Sequence, residues 1–454
     1  GARRIVWYDR QGRVVRVEIP ARDYVAERTD LHLGYRAYHR MAAGGVNQRE
    51  RDVAAAAGRV IDDVIGAGPD LVVVAGDVFH TVRPSNSAIM DGFRLFMRLR
   101  RGLPETPVVL IAGNHDSPRS ADTGSILRLL AEIPDVHVVD DSVWAVRLGR
   151  PDVSVLCLPH AALVGDEAPV IEPDASAPAN ILVAHGTVSG TGVDEQLMRL
   201  VEYGGAHLER AALREEDFDY VALGHYHNAT RVAANMWYAG ATERTAPNIW
   251  AEADTRKGWV LYDTETREGQ FRDVRTREVV DLPRFSARRL PLAQDADEDG
   301  SGEGDAPAVE WLEPAEINAR IRAAVEAVPG GVAGKIVRLV ITDIPRDTFR
   351  QLDHRMIREL KAEALHFQLD ARRPEAGRSA GEEGEERRLT LEQELDAFLR
   401  DWEPTTPGIE RERLRELGLA YLAATEDWRE GVMELPLDEG APSSTSSSTS
   451  SSTS

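Results

Sequence analysis

The sequence predicts an α/β domain over residues 25–282, followed by a smaller α+β unit over 283–373. Three observations carry this. Short apolar runs such as Leu71–Ala75 and Val108–Ala112 alternate with stretches of helical periodicity, as buried strands joined by helices do. Several of those runs end in glycine followed by Asp, Asn or His, and sites in open α/β sheets gather beyond the carboxyl ends of strands. After Pro283 that pattern stops, and one helix, one strand and a second helix follow.

Taken in order, Ile5–Tyr8 and Arg13–Ile19 read as a hairpin within residues 1–24, with turn chemistry at Asp9–Gly12. The segment 25–29 (Val-Ala-Glu-Arg-Thr) is polar and weak as a strand. Asn47 with Glu50 predicts a capping box, and Val53, Ala56, Val60, Ile61 and Val64 continue at helical spacing until Gly66 and Gly68-Pro69. Helices are expected near 86–101 and 123–132. Strands are expected at 71–75, 108–112, 136–139, 142–148, 153–158, 181–184, 220–223, 236–239 and 258–263. Residues 295–308 are acidic and Gly-rich, as a surface loop would be. Helix 313–327, strand 335–342 and helix 353–363 then build the α+β unit. Residues 374–388 read as an acidic linker, 389–432 as amphipathic helices, and 433–454 as a disordered Ser/Thr tail.

Composition bounds the function. The chain has 454 residues, 42% of them hydrophobic, which supports packed cores and excludes a wholly disordered protein. Cys157 is the only cysteine, so disulfide scaffolds and thiolate metal cages are excluded, and it reads as an inert core residue. No run is long enough to span a bilayer and no signal-peptide core precedes the domain, so a cytoplasmic, nucleoid-associated location is expected. Half of the net charge of −22 lies in 374–440, which leaves a local basic groove for nucleic acid compatible with the total.

Five polar clusters carry the chemistry: Asp30-x-His32, Gly76-Asp77-x-x-His80, Gly113-Asn114-His115-Asp116, His185-Gly186 and Gly224-His225-x-His227. Singly, an Asp-x-His is ordinarily a turn and a lone histidine a packed core residue. Together, in this order and at strand ends, they hold six of the twelve histidines. The other six (His39, His137, His160, His207, His354, His366) read as surface or packing residues. Carboxylate, imidazole and carboxamide donors without thiolate suit two catalytic divalent ions such as Mn, Fe or Zn. Asp30, His32 and His227 would complete one site, Asn114, His185 and His225 the other, with Asp77 bridging. Two such ions leave the pocket net positive and attractive to phosphate.

This ordered set resembles the calcineurin-like metallophosphoesterase superfamily. More narrowly it is similar to SbcD-type DNA-repair exonucleases, through Asp30-Leu-His-Leu-Gly-Tyr35, Gly44-Gly-Val-Asn-Gln-Arg-Glu50, Gly76-Asp-Val-Phe-His80 and Tyr238-Ala-Gly-Ala-Thr-Glu-Arg244 with Lys257-Gly258 beyond. The family leads into its first motif with an apolar strand at the very amino terminus. Here the lead-in is polar and preceded by 24 further residues, and Ala241 stands where the family has a small hydroxyl residue.

The resemblance implies a four-layer α/β/β/α sandwich, with 283–373 as a capping domain. It implies a metal-dependent DNA exonuclease or endonuclease, the nuclease subunit of a double-strand-break repair complex, with manganese as the two ions. His115, oriented by Asp116, would protonate the leaving oxygen, and His80 would help place the scissile phosphate. Arg36, Arg49 and Arg119 are the leading candidates for DNA phosphate, with Arg40, Arg83 and Arg244 beside them. Partners implied are DNA, a second copy of the chain, and an SMC-like ATPase of the SbcC type docking on 389–432; no membrane is implied. The alternatives are a phosphoesterase for a small phosphodiester or phosphoprotein, and a non-catalytic scaffold. Manganese-dependent digestion of linear DNA beside bis-p-nitrophenyl phosphate separates the three.

Overall fold

The computed structural model describes residues 24–118, 124–165, 168–190, 206–289 and 310–374, the backbone of the strands at 5–8 and 14–18, and two single positions, 413 and 415. The acidic loop expected at 295–308, the 374–388 linker beyond its first residue, the 389–432 helices and the tail lie outside these residues.

β1 (Ile5–Tyr8) and β2 (Val14–Glu18) form the expected antiparallel hairpin. The next strand is a correction to the sequence reading: the polar segment is β3 (Tyr24–Arg28), a central strand with four buried positions. β3 pairs in parallel with β4 (Leu71–Val74), followed by β5 (Val108–Ile111) and β6 (Val136–Val139), also parallel. Two antiparallel strands, β15 (Gly258–Asp263) and β16 (Glu268–Asp273), complete this first sheet on the β3 side.

Glu27 explains how a polar strand tolerates burial. Its carboxylate reaches across to the other sheet, accepting the Tyr220 hydroxyl and the backbone N–H groups of Leu223 (3.2 Å) and Ala239 (3.3 Å). A buried carboxylate with three donors keeps its hydrogen bonds while leaving water. The Arg28 guanidinium, fully buried on the opposite face, has no hydrogen-bond partner among the described residues, and burial lowers its pKa to about 10.

The second sheet runs β13 (Thr230–Ala233), β14 (Met236–Tyr238), β12 (Tyr220–Gly224), β9 (Asn180–His185), β8 (Asp152–Leu158) and β7 (Trp144–Gly149). β14, β12, β9 and β8 are parallel neighbours, and the outermost strands are antiparallel. Between the sheets lies a core that includes Val73, Val109, Ile111, Val155, Ile181 and Ala222. Cys157 lies there too, buried as expected, and burial raises its thiol pKa.

α1 (Gln48–Ala67) and α2 (Asn86–Gly102) cover the first sheet, with Val60, Ile61, Phe96 and Leu99 packed on Val72 and Leu110. Asn47 caps α1 by accepting the Arg49 N–H at 2.9 Å. Glu50 does not return the bond; it pairs with Arg36 and Ser85, so the expected box is half made. The second sheet is covered more thinly, by α3 (His160–Leu163), α4 (Arg210–Leu213) and a parallel pair, β10 (Thr187–Ser189) with β11 (His207–Glu209). The architecture is thus α/β/β/α. The helix expected at 123–132 is a 3-10 helix, Ile126–Glu132.

A third sheet has its own core. β19 (Ile336–Thr342) pairs in parallel with β17 (Val279–Asp281), β18 (Phe285–Ser286) and β20 (His366–Ala371). α5 (Pro314–Glu326), α6 (Arg346–Arg350) and α7 (His354–Glu363) accompany it, with Ile317, Ile321, Leu339, Ile341 and Phe367 buried together. β17 precedes Pro283, so this unit begins slightly earlier than the sequence suggested. No helix among the described residues is long and apolar enough to cross a membrane.

Candidate metal centre

The carboxyl ends of β3, β4, β5, β9 and β12 deliver the five clusters to one pole of the sandwich. Each chain turns sharply there: Asp30, His32, Asp77 and His225 hold φ of 48°, 47°, 50° and 93°, a region non-glycine residues rarely occupy. Such strain persists where the surroundings over-determine it, typically at functional sites. Two glycines let the strand ends close up. A Cβ on Gly113 would lie 2.0 Å from Asp77 Oδ1, and one on Gly224 would lie 1.8 Å from the Ala75 carbonyl.

Two donor groups are built from the expected ligands, and a third joins His32 to His80 and His115. Asp30, His32 and His227 bring their ligand atoms within 4.8 Å of one another, as do Asp77, His185 and His225. His32 Nε2 faces His227 Nε2 at 3.0 Å. Asn114 Oδ1 stands 3.0 Å from His185 Nε2 and 3.1 Å from His225 Nδ1. Asp77 Oδ2 lies between the groups, 3.3 Å from His185 Nε2 and 4.0 Å from His32 Nε2. All seven expected ligand residues therefore meet.

The electrostatics fit cations. Among the described residues, Asp30 Oδ2 and His225 Nε2 are buried with no hydrogen-bond partner, which is costly unless something else satisfies them. Burial pushes His32 well below its ordinary pKa and His225 down to about 3, so both imidazoles are neutral and keep a lone pair at neutral pH. Burial opposes charge on Asp77 and His185 alike. Their mutual attraction overcomes it, holding Asp77 well below the carboxylate range and His185 up at about 9. His185 is oriented from behind, its Nδ1–H donating to the Ala75 carbonyl at 2.7 Å. Lys257, buried and paired with Glu252, donates to the His227 carbonyl at 2.7 Å, and Glu252 Oε1 lies 3.7 Å from His227 Nδ1. The donor set, its burial and its orphaned acceptors fit two divalent ions.

Over the first group stands a rim of two further histidines. His80 and His115 are stacked, centroids 5.2 Å apart, and both lie against His32. The role expected of Asp116 is corrected. Its carboxylate accepts the backbone N–H groups of Val78 (3.0 Å), Phe79 (2.9 Å) and Gly113 (3.3 Å), tying the loop after β4 to the loop after β5. His115 instead donates from Nδ1 to the His80 carbonyl. Burial and the charge of Asp77 lift Asp116 to about 7.

The arginines divide. Arg49 is fully buried and spent on Asp52, Glu243 and the Arg244 carbonyl, so it is withdrawn as a phosphate contact. Arg244 is likewise structural, donating to the carbonyls of Glu252, Ala253, Thr255 and Arg277. Arg40 holds the carbonyls of Ala362 and Ala364 beside the end of α7. Arg36 is 58% exposed at its side chain and pairs with Glu50 at 2.7 Å. Arg83 is exposed on the loop just past His80. Arg119 lies outside the described residues.

One residue near the centre escaped the sequence reading. His160, taken as a surface or packing residue, begins α3 at the end of β8, its ring edge-on to His185 with centroids 6.5 Å apart. Burial, with His185 next, pushes it down to about 4. No motif surrounds it; the only sequence signal is its position just after an apolar strand.

Comparison with known proteins agrees with this geometry. The calcineurin-like phosphoesterase family matches residues 28–229. A DNA double-strand break repair protein Mre11 of Methanococcus maripaludis is 27% identical over 47% of this chain and 55% of its own length. That of Halobacterium salinarum is 30% identical over 48% of this chain and 51% of its own. That of Thermoplasma acidophilum is 27% identical over 55% and 65%. The chain thus spans about half to two thirds of the length of these curated relatives. Seven donor residues meet at the strand ends, and residues 28–229 of this chain match the calcineurin-like phosphoesterase family and are similar to archaeal Mre11 proteins.

Proposed function

We propose that this chain is a metal-dependent DNA nuclease that hydrolyses phosphodiester bonds, working as the nuclease subunit of a double-strand-break repair complex. The observation that carries the reading is the stacked His80–His115 pair standing beside two adjoining buried donor groups that share Asp77. Asp30, His32, His227 and Asp77 would hold one ion, and Asp77, Asn114, His185 and His225 the other; manganese suits this O/N donor set. Such ions supply Lewis-acid charge to the phosphoryl oxygens and a water activated near neutral pH.

The chain's own residues do the rest. His115, fixed through Nδ1 by the His80 carbonyl, presents Nε2 as the atom that gives a proton to the leaving oxygen. His80, held against His115 and Tyr35, is placed to orient the scissile phosphate. Arg36 and Arg83 are the exposed cations suited to flanking phosphates. Pairing of two chains, and docking of an SMC-like ATPase on 389–432, complete the reading, and support for them comes from the family resemblance alone. The test is digestion of linear duplex DNA with manganese beside hydrolysis of bis-p-nitrophenyl phosphate. Cleavage of DNA, abolished by chelation, supports the nuclease. Hydrolysis of the small diester alone would favour a small-substrate phosphoesterase, and neither reaction would favour a scaffold.

A further inference from the structure

A second feature occupies the same pole. β7 runs antiparallel to β8 and pairs Trp144 with Cys157, three residues before His160. The start of β7 therefore lies at the pole where β8 ends. Trp144 shares a strand face with Val146 and Leu148, which lie in the core between the sheets, yet it extends past that core and is 64% exposed. An indole so exposed offers a flat apolar face to a ligand or partner.

It is not alone. Val164 and Val170 are also exposed, and their chain neighbours Leu163 and Ile171 share one core cluster with Val143, the neighbour of Trp144. Val164 lies one helical turn beyond His160, its N–H donating to the His160 carbonyl at 3.2 Å.

His160 supplies the polar half. Only 9% of the residue is exposed, and its Nδ1 is buried with no hydrogen-bond partner among the described residues. Its backbone N–H is anchored to the Ala112 carbonyl at 3.0 Å, just ahead of Asn114, so the ring is held in register with the donor cluster. It lies outside the donor groups themselves, so it is not offered as a ligand. The carboxylates nearest in sequence to Trp144 are occupied: Arg128 pairs with Asp140 at 2.7 Å and with Asp141 at 3.1 Å.

We propose that His160 and Trp144 form a subsite for one unpaired nucleotide of a DNA strand. The His160 imidazole hydrogen-bonds the phosphate next to the scissile one, and the Trp144 indole stacks on that nucleotide's base. A base presents a π-face whatever its identity, so the subsite binds without reading sequence. The row His115, donor cluster, His160, Trp144 then gives a strand one continuous track across the pole. This rests on the nuclease reading, and the experiment separates the two.

The probe is a fluorescein-labelled oligothymidylate, with binding followed by anisotropy in EDTA, where hydrolysis plays no part. Wild type, W144A, W144F and H160A are compared, and manganese-dependent hydrolysis of the same oligomer and of bis-p-nitrophenyl phosphate is measured in parallel. W144A is expected to weaken binding roughly ten- to hundred-fold and W144F to restore most of it; H160A is expected to weaken it roughly ten-fold. On hydrolysis, KM for the oligomer should rise in W144A, with a loss on DNA at least about ten-fold larger than any loss on the small diester. Wild-type affinity in W144A would overturn the subsite and point the exposed edge toward a protein partner. A wild type that hydrolyses the small diester yet does not bind the oligomer would overturn it too. A wild type that binds the oligomer through Trp144 but hydrolyses nothing would leave the subsite standing and remove the nuclease reading.

Discussion

His115 donates its Nδ1 proton to the backbone carbonyl of His80, 2.6 Å away. A carbonyl can only accept, so Nδ1 carries the proton and Nε2 is the nitrogen that the proposed proton transfer would use. The ring is thus aimed by the loop after β4, which also carries Asp77.

H115A should therefore keep its metal and lose its chemistry. His115 lies against His32 but is not among the seven expected ligands, whereas general acid catalysis typically contributes ~10²–10⁴-fold. Metal content by elemental analysis and the rate on DNA, measured on one preparation, check this. A variant that cut at the wild-type rate would end the proton-donor role.

D116A should fail differently. Asp116 ties Val78, Phe79 and Gly113 together by their N–H groups, so its loss loosens both loops that carry Asp77 and Asn114. Supporting residues of this kind typically cost ~10–100-fold in metal affinity when removed. Titration with manganese by calorimetry should show that weakening in D116A and not in H115A. Equal affinities in the two variants would mean that Asp116 acts on chemistry alone.

D77N tests the sharing of one carboxylate. Asp77 Oδ2 faces both His185 and His32. An amide keeps the shape and removes the charge, so occupancy should fall at both positions together. Loss of one ion with the other retained would show that Asp77 serves a single position.

Much of this centre was legible because its signals are local. Gly-Asp, Gly-Asn-His and Gly-His-x-His each follow an apolar strand within a few residues, and strand ends at one pole bring them together. What stayed hidden depends on distant partners. Glu27 reads as a break in an apolar strand until Tyr220, Leu223 and Ala239 supply its donors. Arg49 and Arg244 read as free cations, since the groups that consume them, Glu243 and the carbonyls of 252–255, arrive only by folding. His160 carries no motif, and its meaning comes from the strand order that puts β8 beside β9. The first turn of α1 misled for a similar reason: Glu50 had a better partner in Arg36 than the helix end offered.

E252A should unfold the protein more than it disturbs chemistry directly. Lys257 is fully buried and its ammonium rests on Glu252 and the His227 carbonyl. Removing one member of a buried pair leaves an uncompensated charge and typically costs ~3–5 kcal/mol. Chemical denaturation should report a loss of that order, and E252A combined with K257M should recover part of it. A double variant no more stable than the single one would show that the pair is not the cause.

The last prediction concerns pH and Glu27. Burial raises its carboxyl well above the ordinary range, although the Tyr220 hydroxyl and two backbone N–H groups pull the other way. The folded state therefore favours the protonated acid more than the unfolded chain does. For a group whose folded pKa is raised, the stabilisation is fully present below the unfolded pKa, ~4.3 for glutamate, and is lost as pH rises through the folded value. E27Q removes that titration while keeping an oxygen for the Leu223 and Ala239 N–H groups, and its amide can donate to a Tyr220 hydroxyl turned the other way. The difference in Tm between E27Q and wild type should thus move in favour of E27Q as pH rises from about 5 to about 8. A gap that is flat with pH, or that turns toward wild type at the higher pH, would mean that Glu27 is held as a carboxylate by its three donors and that burial does not govern it.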